Sequence, residues 1–219
     1  MSIDPERVRA GLETVRGRIV AAGGDPSRVT IVAVTKGFGV DAVEAARAAG
    51  AVHVGENYAQ ELVAKAGDLT AGPGLVWHFI GGLQTNKVRQ LTALVDLWES
   101  VDRASLGIEL AKRAPGARVL AQVNISGEAT KGGCAPEEAA TLVGRLRDLG
   151  LDVLGLMGVA AAGDVDRARA QFGRLAELAS ALDLTELSMG MSADLEAAVA
   201  EGATIVRVGT ALFGPRPPH

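Results

Sequence analysis

Strand-like and helix-like segments alternate without interruption through almost the whole chain, and this alternation constrains the fold more than any other feature. Apolar runs at 29–35, 51–54, 76–80, 95–98, 117–124, 153–158, 185–189 and 204–208 read as strands. Amphipathic stretches at 40–49, 57–66, 84–93, 103–113, 136–149, 164–182 and 192–201 lie between them. Each intervening helix returns the chain to the end of the sheet it left, so the strands must run parallel. Eight such units close into a (β/α)8 barrel; an open doubly wound sheet is the alternative, and only the strand count opposes it. One more helix precedes the first strand. Asp4 caps it, Pro5 fits its first turn, Val8, Leu12, Val15 and Ile19 recur at helical spacing, and Gly23-Gly24 stops it. No linker, low-complexity segment or composition break interrupts residues 1–219, so a single domain is expected.

Composition excludes several classes of function. The net charge is −4 with no basic block, which argues against a nucleic-acid backbone or an anionic membrane as partner. The single Cys134 allows no internal disulfide, the N-terminus does not read as a signal peptide, and no apolar run reaches membrane-spanning length. A cytoplasmic protein is expected. Aromatics make up only 3%, so Ala, Val, Leu and Gly must fill the interior.

In a β/α barrel the chemistry gathers at the C-terminal ends of the strands. The first strand, Val29 to Thr35, is apolar almost throughout and delivers Lys36 to that rim. A lysine desolvated there can lose its proton and form a Schiff base with an aldehyde. Other polar residues and glycines reach the same rim: Gly55, Glu56 and Asn57; Gly81 and Gly82; Glu99 and Ser100; Asn124; Ser188; Arg207, Gly209 and Thr210. The segments after strands seven and eight, Ser188-Met189-Gly190-Met191-Ser192 and Arg207-Val208-Gly209-Thr210, occupy the two positions where barrels often bind phosphate. Glycine admits close approach of backbone N–H groups to an anion, and Ser and Thr add hydroxyl donors. The competing reading makes Ser192 a helix cap and the glycines ordinary turn residues. A Schiff-base lysine beside a phosphate cradle suggests pyridoxal phosphate (PLP). A different reading comes from Gly37-x-Gly39-x-x-Ala42, which follows a strand and opens a helix, with Glu56 ending the next strand, as in a dinucleotide fingerprint.

Longer blocks carry a resemblance. VAVTK at 32–36, VGENYAQEL at 54–62, WHFIGGLQTNKVRQL at 77–91, ESVDR at 99–103, QVNISGEATKGG at 122–133, LGLMGVA at 154–160 and LSMGMSADLEAAVAEGATIVRVGTALFG at 187–214 together resemble the YggS/PROSC family of PLP homeostasis proteins. The resemblance implies a barrel like the N-terminal domain of alanine racemase, the third fold type of PLP proteins. It implies an internal aldimine on Lys36 and places Asn57 beside the cofactor. It puts Ser188, Gly209 and Thr210 at the phosphate, with Ser192 a nearby candidate, and Arg207 at the pyridine nitrogen. An arginine there disfavours protonation of the ring and makes it a weaker electron sink. Alanine racemase also uses a tyrosine from a second domain as a base, whereas this sequence has one tyrosine, Tyr58, and ends at His219. The expectation is therefore a monomeric PLP-holding protein that limits free cofactor and supplies apo-enzymes, without turnover of its own. A narrow-specificity amino-acid racemase is the alternative. Many family members follow the lysine with a second lysine and a proline; here Gly37-Phe38-Gly39 follows instead.

The remaining candidates have ordinary readings. His53, His78 and His219 share no metal-ligand spacing, and His78 reads as a hydrogen-bonded structural residue. Cys134 reads as a tolerated thiol. Lys87 and Lys131 could hold cofactor transiently, meet a partner or simply be solvated. Met157, Met189 and Met191 are expected to pack the barrel mouth around the ring.

Overall fold

A computed structural model describes residues 3–69 and 74–216. Eight parallel strands form a closed barrel in sequence order: β1 (Thr30–Val34), β2 (His53–Glu56), β3 (Val76–Phe79), β4 (Leu97–Val101), β5 (Arg118–Val123), β6 (Asp152–Gly158), β7 (Glu186–Ser188) and β8 (Ile205–Val208). Pairing of β8 with β1, from Thr30 opposite Ile205 to Ala33 opposite Val208, closes the cylinder and rules out the open sheet. The helices are α1 (Pro5–Ala21), α2 (Val40–Ala48), α3 (Ala59–Asp68), α4 (Ala104–Arg113), α5 (Ala139–Asp148), α6 (Val165–Ala181), α7 (Leu195–Ala200) and α8 (Thr210–Phe213).

Strand alternation sorts the side chains into two layers. Ala33, Val54, Trp77, Phe79, Trp98, Ala121, Leu156 and Val206 belong to the large core between sheet and helices. Val32, Leu97, Leu120, Met157 and Ile205 form a separate cluster in the barrel lumen. Between α1 and the rest of the protein, Val8, Leu12, Val15 and Ile19 make one buried stripe. Burial of such side chains contributes on the order of 2 kcal/mol each. The Asp4 carboxylate accepts from the Glu6 backbone N–H at 3.0 Å, capping α1 as its sequence implies. α1 packs on α8, and a side chain at Gly11 would begin 2.8 Å from the Ala211 carbonyl oxygen. Gly11 thus sets how closely α8, the helix at the rim, lies against the N-terminal helix.

Two segments differ from the sequence reading. The expected helix at 84–93 is a 3-10 helix, Thr85–Gln90. Its buried Val88 and Leu91 follow the three-residue spacing of that tighter helix, and the Leu91 and Leu94 N–H groups bond three residues back at 2.9 Å. β4 begins later and runs further than its apolar run at 95–98 implied. Its extension contains Glu99 and Ser100, both buried and hydrogen-bonded, so polarity did not end the strand. α8 is an additional short helix beyond β8.

Gly155 in β6 lies where the register with β5 shifts. A side chain there would begin 1.9 Å from the Glu186 carbonyl oxygen in β7. Gly155→Ala is expected to destabilise the fold by about 1–3 kcal/mol through this backbone clash. Gly67→Ala, at an exposed helical position with nothing within 4 Å, is expected to be neutral or to stabilise by about 0.5 kcal/mol. Chemical denaturation of the two variants checks both.

Candidate functional site

A cavity of about 370 Å³ opens at the C-terminal rim. Lys36 enters it after β1, Asn57 after β2, Ile80 after β3 and Val159 after β6. Met191, Ser192 and Ala193 contribute from the loop after β7, and Arg207, Gly209 and Thr210 from β8 and the start of α8. Val34 and Phe38 complete an apolar wall, and Gly214 and Arg216 close the side beyond α8.

The backbone around Lys36 is held from beneath. The Lys65 ammonium, buried in α3, donates to the Thr35 carbonyl at 2.8 Å, to Glu56 Oε1 at 2.5 Å and to Glu61 Oε2 at 3.2 Å. The Thr35 hydroxyl donates to Glu56 Oε1 at 2.5 Å, and the Gly37 N–H donates to Glu61 Oε2 at 2.8 Å. The carbonyl before Lys36 and the N–H after it are therefore both held by charged groups. Burial raises the Glu56 carboxyl above the usual range even though Lys65 and Thr35 work against it. Burial also lowers the Lys36 ammonium below the usual lysine value, assisted by the charges of Arg216 and Arg207 and opposed by Glu56 and Glu61. A half-buried lysine in such surroundings carries more free amine at neutral pH than a surface lysine.

The rest of the wall combines hydrogen-bonding side chains with apolar surface. The Asn57 side-chain oxygen is buried without a hydrogen-bond partner. Ser192 Oγ accepts from the Ala211 N–H at 3.4 Å, which brings the loop after β7 onto the first turn of α8. Gly209 packs against β1, where a side chain would begin 3.3 Å from the Val34 carbonyl oxygen. Arg207 lies in the floor and donates to the Gly158 carbonyl at 2.9 Å and to Ser188 Oγ at 2.5 Å. Burial lowers the Arg207 guanidinium from its ordinary value, countered by the charges of Glu99 and Asp194.

Six of the residues singled out from sequence thus border one cavity: Lys36, Asn57, Ser192, Arg207, Gly209 and Thr210. Ser188 does not. It is wholly buried below Arg207, where it accepts from that guanidinium and donates to Glu99 Oε2 at 2.5 Å. Its hydroxyl is committed inside the barrel, which sets it apart from the anion-facing position the resemblance implied. Met191 borders the cavity, whereas Met157 belongs to the lumen cluster and Met189 to the outer core. Sequence reasoning passed over Arg216, which is brought to Lys36 only by the turn after α8, and over Glu61 and Lys65; it placed Glu99 at the rim, whereas the structure buries Glu99 within β4 against His78 and Ser188.

The other candidates resolve physically. The Gly37 N–H is occupied by the Glu61 carboxylate, so the loop that imitates a dinucleotide fingerprint presents a carboxylate where a phosphate would need a donor. Burial pushes the Cys134 thiol up to about 11, the opposite of an activated nucleophile. Lys131 donates to the Ala160 carbonyl at 2.7 Å and to Glu128 at 3.2 Å, and is structurally engaged. Lys87 borders a second cavity of about 210 Å³ that shares Asn57 with the first. His78 is hydrogen-bonded on both ring nitrogens, and His219 lies outside the described residues. Among the described residues no cluster of three or more ligating side chains could hold a metal, and no helix is long and apolar enough to cross a membrane.

Comparison with known proteins agrees with this geometry. The family model for the alanine racemase N-terminal domain matches residues 3–217. A PLP homeostasis protein of Pseudomonas aeruginosa is 44% identical over 225 residues, covering 99% of this chain and 97% of that one. The structure of PipY from Synechococcus elongatus, determined with PLP bound, has a TM-score of 0.80 at 35% identity, covering 91% of this chain and 100% of that one. Alanine racemase from Clostridium difficile shares the barrel at a TM-score of 0.75 and 15% identity, over 99% of this chain and 59% of that one. The chain therefore belongs to the PLP homeostasis protein family and has the alanine racemase-type PLP barrel.

Proposed function

We propose that this protein binds PLP through Lys36 and serves as an intracellular reservoir of the cofactor, without catalytic turnover. The observation that carries the reading is a half-buried lysine of lowered basicity, held rigid at its backbone, in a cavity whose opposite side offers Ser192, Gly209 and Thr210. PLP, when bound, supplies an aldehyde that condenses reversibly with an amine and releases water. Gly209, Thr210 and Ser192 would hold its phosphate, Arg207 its ring nitrogen and Asn57 the ring edge. Ser188 acts indirectly, through Arg207. The naming of the relatives and the PLP-bound relative support the cofactor assignment.

Absence of turnover is inferred from what a racemase requires. Inverting an α-carbon takes a base on each face of the bound amino acid. Among the described residues, the ionisable side chains bordering the cavity are Lys36, Arg207 and Arg216. Lysine can serve one face, and an arginine stays protonated. A reversible hold on the aldehyde suits transfer to apo-enzymes, with the protein acting as a monomer.

Borohydride reduction of PLP-loaded protein followed by peptide mapping is expected to place a pyridoxyl group on Lys36, and none in Lys36→Ala. No exchange of α-hydrogens is expected with common amino acids in deuterated water; rapid exchange with any of them would establish turnover. Loading should also depend on pH in a definite sense. The ammonium form cannot attack the aldehyde, so loading rate falls as pH drops through the Lys36 pKa. Because that pKa lies below the ordinary lysine value, the fall should occur at lower pH than for a surface lysine. Arg216→Gln removes one of the charges that depress it and should move the midpoint upward, as stopped-flow absorbance across a pH series would show.

A further inference from the structure

The barrel lumen contains a continuous line of polar side chains that the cofactor reading leaves unexplained. His53 opens β2 at the N-terminal rim, opposite the cavity, and is half-buried. Its Nδ1 lies 2.9 Å from His78 Nε2 on β3. His78 Nδ1 lies 2.5 Å from Glu99 Oε1 on β4. Glu99 Oε2 accepts from Ser188 Oγ on β7 at 2.5 Å, and Ser188 Oγ accepts from Arg207 on β8 at 2.5 Å. Arg207 borders the cavity. Five strands thus each place one side chain in a chain of hydrogen bonds running from one end of the barrel to the other. His78, Glu99, Ser188 and Arg207 are all at most 5% exposed.

Such an arrangement is costly to keep. A buried ion pair is often no more stabilising than apolar residues of the same volume. The neighbouring lumen layer of Val32, Leu97, Leu120, Met157 and Ile205 shows that this barrel can be filled by apolar side chains. Stability alone therefore does not account for the polar line, and its terminus at the cavity points to a role there.

The donor and acceptor order is fixed from the arginine end. Arg207 can only donate, so Ser188 accepts from it and donates its own O–H to Glu99 Oε2. Burial works to raise the Glu99 carboxyl, but hydrogen bonds from His78 and Ser188 and the charges of His78 and Arg207 outweigh it and hold it low. His78 must then donate from Nδ1 to Glu99. Its Nε2 then accepts from His53 Nδ1–H, which leaves His53 Nε2 as the position for an additional proton. The lumen changes between zero net charge and one positive charge, and the change is made at the rim remote from the cavity. His53 faces His78 on β3, Asp96 before β4, Glu99 on β4 and Arg118 on β5. Burial and the positive neighbours lower its basicity, so the additional proton enters below the ordinary histidine range.

We propose that Glu99, Ser188 and His78 are positioning residues that hold the Arg207 guanidinium as a charge-compensated cation in the cavity floor, and that proton uptake by the His53–His78 pair alters this compensation from the far end of the barrel. Among the described residues, two of the five guanidinium N–H groups have hydrogen-bond partners, one at Ser188 and one at Gly158, so others remain for a ligand. Resting on the PLP reading, the ligand atom affected is the ring nitrogen, whose hydrogen bond from Arg207 would perturb the absorption of the bound cofactor.

The test is a pH series by NMR on the full chain, with arginine and histidine side chains labelled with ¹⁵N, without and with PLP. The expected result is that the Arg207 side-chain signal moves with the same midpoint as the His53 imidazole. In His53→Gln the Arg207 step should vanish, and in loaded protein the cofactor absorption band should lose the step at that midpoint. Glu99→Gln should uncouple Arg207 from the histidines while His53 still titrates. A structural role alone would change thermal stability in these variants and leave the Arg207 titration of the wild type flat. A flat Arg207 signal while His53 titrates in the wild type overturns the proposal. His53→Gln, at a half-buried rim position, keeps the test available if Glu99→Gln does not fold. Measurement without PLP separates the two readings. Coupling without any Lys36 adduct would retain the relay and remove PLP, whereas an adduct with a flat Arg207 would do the reverse.

Discussion

The ladder between β8 and β1 is the constraint on which the site depends. It sets Ala33 opposite Val208, and the residues following these partners are Val34-Thr35-Lys36 on one side and Gly209-Thr210 on the other. An amine from the beginning of the sequence is thereby brought into one cavity with the Gly209-Thr210 turn from its end. Neither segment forms the cavity alone: Lys36 ends one strand, and Gly209-Thr210 is the start of a four-residue helix. Closure also buries the lumen, and that burial gives the charges inside it their influence on one another.

Two buried electrostatic systems meet at the cavity. Beneath Lys36, the Lys65–Glu56–Glu61 cluster attaches the backbone through Thr35 and Gly37. Beneath the floor, Glu99 and Ser188 retain Arg207. The carboxylates of the first system favour the charged form of Lys36, and the arginines oppose it. With desolvation on the side of the arginines, the balance falls toward free amine. An amine that is too basic would seldom be free to react, and one fixed in a salt bridge could not reach an aldehyde. Lys36 avoids both because the nearby carboxylates are already engaged with Lys65 and the Gly37 N–H.

Much of the architecture is legible in one dimension because barrel periodicity is local. Each β/α unit signals itself by a change in apolar spacing, and Lys36 is marked by the apolar strand before it. Boundaries fail where burial and polarity separate. β4 runs through Glu99 because its partner is Ser188 on β7, a contact no local pattern encodes. The 3-10 segment is not told from an α-helix in one dimension because its buried Val88 and Leu91 are three residues apart, a spacing that either helix can carry. Six residues that border the cavity were readable from their positions after strands. Ser188 does not border it, because strand position tells which end of the barrel a residue occupies but not whether a neighbouring arginine claims its hydroxyl.

The loop after Lys36 shows how a local departure can change the mouth while preserving the floor. Gly37 has φ of 74°, a conformation glycine adopts without strain, and its open side is covered by the aliphatic part of Arg216, 3.1 Å from where a side chain would begin. Phe38 packs on Phe213 of α8 with ring centroids 5.4 Å apart. The segment is thus attached to α8 by apolar contact, where a lysine followed by proline would carry charge and lack one backbone donor. Arg216 is the charge that acts most strongly on the amine, yet it is carried by the chain beyond α8 and not by the lysine loop itself. Movement of the residues after α8 would therefore alter both the electrostatics of Lys36 and the cover over Gly37, with no change in the strands that build the floor.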